Sequence, residues 1–187
     1  MNRRVIILNG VSSAGKSSIA RALQVRLPEP WLAFSVDDLI AAMPAAMLKA
    51  DGGFGIAAGG AVTVGERFIA LNIAWEQGIA AMARAGAPVI IDDVFLRGRV
   101  NQDRWRAALD GLAALWVGVH CDPAVLAERE RARGDRVVGM AADQLPFVHA
   151  GVTYDLEVDT SNRSPDACAA LIIERLGQTA TGCGGRG

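Results

Sequence analysis

Apolar residues recur along this chain in two rhythms. Short β-branched runs, bounded by Gly, Pro or polar residues, alternate with longer stretches in which apolar positions return every three or four residues. The first rhythm predicts strands buried in a sheet, and the second predicts amphipathic helices. Five strands are expected, at Arg4 to Asn9, Trp31 to Ser35, Pro88 to Asp92, Leu115 to Cys121 and Tyr154 to Asp159. The third and fourth are near-continuous apolar runs, as parallel strands covered on both faces require. Helices are expected at Lys16 to Leu27, Gly65 to Ala85, Asp103 to Leu109, Pro123 to Arg133 and Ser164 to Leu176. Asp122-Pro123 and Ser164-Pro165 each place an N-cap residue before a first-turn proline, which marks two helix starts. The alternation predicts a three-layer α/β/α architecture around a five-stranded parallel sheet.

Two stretches fit neither rhythm: the Gly-rich segment Asp51 to Gly65 and the arginine-rich stretch Arg129 to Arg136. Both are expected to be mobile cover over a site, the first within an acceptor-side segment over 43–66 and the second within a lid over 129–146. With 187 residues, one domain over 1–178 is expected, followed by a small, polar, disordered tail over 179–187.

Composition narrows the class. The chain is 51% hydrophobic and 21% charged with net charge -1, as expected of a globular protein. Its arginines are scattered and offset by 20 acids, so no basic stripe points to nucleic acid. The apolar run after Arg3 and Arg4 ends at Asn9-Gly10, too short for a signal sequence. No apolar stretch approaches the ~20 residues that span a bilayer. A cytoplasmic location follows as the expectation. Cys121, Cys168 and Cys183 lack zinc-like spacing and are read as reduced thiols.

The candidate chemistry begins where the first strand ends. Gly10-Val11-Ser12-Ser13-Ala14-Gly15-Lys16-Ser17 fits G-x-x-x-x-G-K-[ST] and stands between a strand and a helix, with Ser18 following. Glycines let successive N–H groups turn inward, and the helix start adds its positive end, so the loop suits the phosphates of ATP. Lys16 would reach the β and γ phosphates, and the Ser17 hydroxyl would coordinate Mg²⁺. Val89-Ile90-Ile91-Asp92-Asp93 supplies the second metal-side group, with Asp92 preferred and a turn or cap role as the alternative. No Asn-Lys-x-Asp guanine reader exists, and the domain is too small for a motor or transporter ATPase, which leaves a small-molecule kinase.

Such a kinase needs an acceptor-side base and cations around the transferring group. Asp37, just after the second strand, is placed as the base, while Asp38 is given the competing role of helix cap. Arg129, Arg131, Arg133 and Arg136 are the cation supply, with Arg133 and Arg136 chosen and a solvated charged helix as the alternative. Thr160, at the end of the last strand, is placed near adenine. Between Pro28 and Ala83 only Lys49 and Arg67 are basic, which argues for a neutral hydroxyl acceptor. Phe34, Met43, Met47, Phe54, Ile56, Val62, Phe68 and Trp75 could line its pocket or belong to the core. His120, His149, Trp105 and Trp116 are read as structural.

The blocks ILNGVSSAGKSS, LPEPWLAFSVDDLIAAMP, AMARAGAPVIIDDVF, LWVGVHCD, RARGDRVVGMA and VHAGVTYDLEVDTS resemble the chloramphenicol 3-O-phosphotransferase family from Arg3 to about Thr160. The resemblance implies a P-loop kinase fold of the adenylate or shikimate kinase kind. It also implies ATP-dependent phosphorylation, and hence inactivation, of chloramphenicol at its primary hydroxyl. Asp37 matches the family's catalytic aspartate and Arg136 an important lid arginine. Expected partners are a small-molecule hydroxyl acceptor and, as an open option, a second copy of the chain in a homo-oligomer; neither nucleic acid nor membrane is expected. Two alternatives stand beside this reading: a kinase acting on another neutral or cationic alcohol, and a regulatory module that binds ATP without turnover.

Overall fold

A computed structural model of the chain describes residues 3–48, 53–56, 61–133 and 139–178. The strand β1 (Val5–Asn9) is buried at every position and forms the centre of the sheet. It pairs in parallel with β5 (Val89–Asp93) on one side and β6 (Ala114–His120) on the other. The strands β2 (Leu32–Ser35) and β7 (Leu156–Asp159) form the edges, giving the parallel order β2-β5-β1-β6-β7. All five expected strands are present, each with ends within two residues of its expected position.

Successive side chains of a strand point to opposite faces, and here each face has its own helical cover. Ile6 and Leu8 pack with Ile19 and Leu23 of α1 (Lys16–Arg26) and with Cys168 and Ile172 of α7 (Pro165–Gln178). Val5 and Ile7 pack with Ile79 and Ala83 of α3 (Glu66–Arg84) and with Trp105 of α4 (Arg99–Ala108). This is the expected three-layer arrangement. A smaller cluster of Leu39, Met43 and Phe68 joins α2 (Val36–Ala42) to α3 outside the main core.

Three elements depart from the sequence reading. The Gly-rich segment contains a short antiparallel pair, β3 (Phe54–Ile56) and β4 (Val62–Val64). The helix α4 begins at Arg99, four residues before Asp103, because Gly98 takes a positive φ of 49° and turns the chain into the helix with no side-chain cap to mark the start. Beyond α5 (Pro123–Arg133) lies an unanticipated α6 (Met140–Val148), with Pro146 inside it. The cap of α6 is remote in sequence: the buried Glu130 carboxylate accepts from Gly139 N (2.9 Å) and Ala141 N (2.7 Å). These bonds satisfy helix-start donors that local residues leave unpaired. Cys121 and Cys168 are free and buried. The residues 179–187 expected to form a disordered tail lie outside the described residues, as does Cys183.

Candidate active site

The loop after β1 is shaped by close approach and by left-handed backbone. A Cβ at Gly10 would lie 2.4 Å from the Val119 carbonyl oxygen, so this turn can pass β6 only as glycine. Ser13 and Gly15 have φ of 59° and 89°, and Gly15 opens α1 without a side-chain cap. The first amides of α1 therefore face the loop's concavity, where an anion would satisfy them. Ser12, Ser13, Gly15, Lys16, Ser17 and Ser18 line the cavity in front of the loop. Val11 and Ala14 instead turn into the core and hold the loop from behind.

Lys16, Ser17 and Asp92 converge. Lys16 Nζ donates to the Val11 carbonyl (2.9 Å) and lies 3.6 Å from Asp92 Oδ1. Ser17 Oγ donates to Asp92 Oδ2 at 2.6 Å. A hydroxyl and a carboxylate side by side are the hard oxygen donors that suit Mg²⁺, which takes few protein ligands and completes its shell with water and phosphate. No cluster of three or more His, Cys, Asp or Glu able to hold a metal occurs among the described residues. Ser13 Oγ is buried with no hydrogen-bond partner among the described residues, an orphan that a phosphate oxygen would satisfy. The loop thus fits a magnesium nucleotide.

Several supports of the loop escaped the sequence reading. Gln144 of α6 accepts from Ser12 N through Oε1 at 2.7 Å. Thr160 Oγ1 donates to the Ala14 carbonyl at 2.8 Å, so this residue braces the loop from below. Arg129 Nη2 donates to the Thr160 carbonyl (2.7 Å), while its Nη1 donates to Thr160 Oγ1 (3.1 Å) and the Ser13 carbonyl (3.4 Å). Arg129 therefore stands at the loop, whereas Arg131 is exposed and donates to its own helix at the Ala127 carbonyl. The Arg133 side chain and all of Arg136 lie outside the described residues.

The loop opens into a cavity of about 920 Å³ that also receives Asp37 and Asp38. The helix α2 starts with a capping box in which Ser35 Oγ accepts from Asp38 N and the Asp38 carboxylate accepts from Ser35 N at 2.7 Å. The cap role thus falls to Ser35 with Asp38, which leaves Asp37 in the first turn on the cavity wall. Of the apolar candidates, Phe34, Phe54, Ile56, Val62 and Phe68 line the cavity. Met43, Met47 and Trp75 pack into the small cluster under α2.

Part of the lining is polar, and except for Asp93 the sequence reading did not weigh it. Asn72 from α3, Asp93, Arg97, Asn101 and Arg104 all reach the cavity. Asp93 Oδ2 accepts from Trp105 Nε1 (2.7 Å) and Oδ1 from Val94 N (2.7 Å), so Asp93 anchors α4 while Asp92 faces the loop. Burial pushes the Asp93 carboxyl above its ordinary range. Burial likewise lifts Glu76 to about 7, against the pull of the Arg104 guanidinium. Beside the loop, burial and the neighbouring His120 lower His149 to about 4. Burial raises the Tyr154 phenol, which bridges Asn9 and His149.

Comparison with known proteins agrees with this geometry. The model of the chloramphenicol phosphotransferase-like protein family matches residues 3–177. A protein of Mycobacterium tuberculosis (strain ATCC 25618 / H37Rv), whose name proposes an O-phosphotransferase, is 31% identical over 176 residues, covering 84% of this chain and 75% of its own. Among solved structures, a sugar kinase from Janibacter sp. HTCC2649 superposes with a TM-score of 0.69 at 17% identity, covering 94% of this chain and 95% of its own. The Mycobacterium tuberculosis APS kinase, solved with AMPPNP and APS, superposes with a TM-score of 0.59 at 16% identity over 94% and 98%. These structural likenesses establish the P-loop kinase fold. The chain belongs to the chloramphenicol phosphotransferase-like family and is a P-loop phosphotransferase.

Proposed function

We propose that this member of the chloramphenicol phosphotransferase-like family transfers the γ-phosphoryl group of Mg-ATP to the primary hydroxyl of chloramphenicol or a close analogue, inactivating it. The observation that carries the reading is a single cavity bearing Asp37 on one side, the Lys16, Ser17 and Asp92 cluster on another, and an aromatic wall from Phe34, Phe54 and Phe68. Bound Mg-ATP supplies the phosphoryl group and a metal charge to offset the charge that develops on it. The loop amides and Lys16 bind and orient the phosphates, and Ser17 with Asp92 holds the metal side. Asp37 accepts the hydroxyl proton as that oxygen forms its bond to phosphorus and the bond to the leaving ADP breaks. Arg133 and Arg136 supply the cations beside the transferring group, and Glu130 ties α5 to the start of α6 on either side of them. Thr160 supports the nucleotide site from behind the loop, through the Ala14 carbonyl. Cytoplasmic action of a single domain over 1–178 fits this role.

The test is incubation of purified protein with Mg-ATP and chloramphenicol, following ADP release and product mass. An adduct of one phosphate is expected, absent with an analogue lacking the primary hydroxyl. Asp37→Asn should lower turnover by about 10²- to 10⁴-fold, the usual range for loss of a general base. Binding of ATP with chloramphenicol left untouched would refute the acceptor. The polar wall favours one competing acceptor class, neutral polyols, and a parallel assay with sugars separates the two.

A further inference from the structure

The polar wall of the cavity is organised from behind by one carboxylate. Glu76 lies in the middle of α3, 1% exposed, and does not itself reach the cavity. Arg104 Nε donates to its Oε2 at 2.7 Å and Arg104 Nη2 to its Oε1 at 2.6 Å, a bidentate pair. Asn72 Nδ2 donates to the same Oε1 at 3.2 Å. Both partners line the cavity. Glu76 therefore fixes one face of the guanidinium and one end of the amide. Arg104 Nη1 and Asn72 Oδ1 make no hydrogen bond among the described residues. The neighbouring Trp105, held by Asp93, fixes the stretch of α4 that carries Arg104.

We propose that Arg104 and Asn72 form the acceptor-recognition subsite of this enzyme, where Arg104 Nη1 donates to an uncharged oxygen of the acceptor remote from the hydroxyl being phosphorylated, with Glu76 as their positioning residue. The inference rests on the phosphotransferase reading of the same cavity and adds the group that selects the acceptor. A guanidinium held bidentately presents its remaining N–H groups in a fixed direction, so little entropy is lost when a ligand oxygen arrives. The oxygen is uncharged because the guanidinium already commits two donors to the Glu76 carboxyl and Asp93 also reaches the cavity. A carbonyl, nitro or ether oxygen accepts from Nη1 without bringing a charge into the site. The pocket is therefore not short of cations. Its cation comes from α4, beyond the 28–83 stretch that the sequence assigns to the acceptor, and arrives already paired.

The experiment compares Arg104→Met and wild type on three acceptors with Mg-ATP: chloramphenicol, its analogue without the nitro group, and its analogue without the amide carbonyl. Loss of a charged hydrogen bond should lower kcat/KM for chloramphenicol about tenfold or more, mainly through KM, with KM for ATP unchanged. Toward the analogue that lacks the contacted oxygen, the substitution should cost nothing further. Arg104→Lys, which keeps the charge and the fold, should show the same pattern with a smaller loss. Glu76→Gln should raise KM for chloramphenicol without changing KM for ATP. An equal loss toward all three acceptors, or no loss toward any, overturns the subsite while the phosphotransferase reading survives. Wild-type protein that binds ATP but phosphorylates none of the three removes the chloramphenicol acceptor and, with it, the subsite argued for that acceptor.

Discussion

Replacing Glu76 by glutamine should gain stability relative to wild type as pH rises from 5 to 8, although it breaks a bidentate ion pair. Glu76 is 1% exposed and its carboxyl is lifted from 4.5 to about 7, burial outweighing Arg104 and Asn72. At roughly 1.4 kcal/mol per pH unit, that displacement corresponds to about 3 kcal/mol between the neutral and charged forms. The folded protein holds this proton more tightly than the unfolded chain. Its contribution to stability is thus fully present below pH 4.5 and is lost as pH rises through about 7. Glutamine has the shape of the protonated acid and does not titrate. Urea unfolding at pH 5 and pH 8 should therefore show the Glu76→Gln variant gaining about 2 to 3 kcal/mol on wild type between the two, with m unchanged. The wild-type comparison at each pH cancels the titration of groups remote from Glu76. A difference that does not change with pH, or a variant that loses ground at pH 8, would show that Arg104 outweighs burial and that the wall carries a permanent ion pair.

Two further perturbations probe the loop and its flank. Gly10→Ala would set a methyl carbon 2.4 Å from the Val119 carbonyl oxygen; moving two central strands apart should cost at least about 2 kcal/mol in urea unfolding and weaken ATP binding, and near-native stability would mean that β6 yields. His149 is held near 4 by burial and by His120, so its neutral form contributes stability that is present above 6.5 and declines as pH falls toward 4. An NMR titration of its ring should find it neutral at pH 5, and a midpoint near 6.5 would refute the burial account.

Much of this protein was legible from periodicity alone. The central strands β1, β5 and β6 showed most plainly, since a strand buried on both faces has no polar side to disguise it. The phosphate loop was legible because its chemistry is contiguous: one turn needs Gly10, Gly15, Lys16 and Ser17 in fixed order. Ser17 and Asp92 could be paired in advance because parallel strands deliver their carboxyl ends to one edge of the sheet. The helix α6 was not legible, because its N-terminal donors are satisfied by Glu130 and its Pro146 reads as a break. Nor were Gln144 and Arg129 legible as braces of the loop, since an isolated glutamine or one arginine of a charged helix carries no local signal of its partner.

The acceptor wall escaped for a more specific reason, which bears on how the two halves of the site are linked. Reasoning along the chain confines the acceptor to residues between the second strand and the long helix, yet α4 packs beside α3 and delivers Arg104 from the far side of β5. The hinge between these regions is a single dipeptide. Asp92 and Asp93 are neighbours whose side chains point to opposite sides, as a strand requires. Asp92 accepts from Ser17 and pairs with Lys16 at the phosphate loop. Asp93 holds Trp105, and through α4 it sets the position of Arg104 against Glu76. One strand end thus fixes the metal side with one carboxylate and the acceptor side with the next. The distance between the two subsites is then governed by rigid backbone in the sheet's centre, where a transfer between two bound molecules most needs fixed geometry.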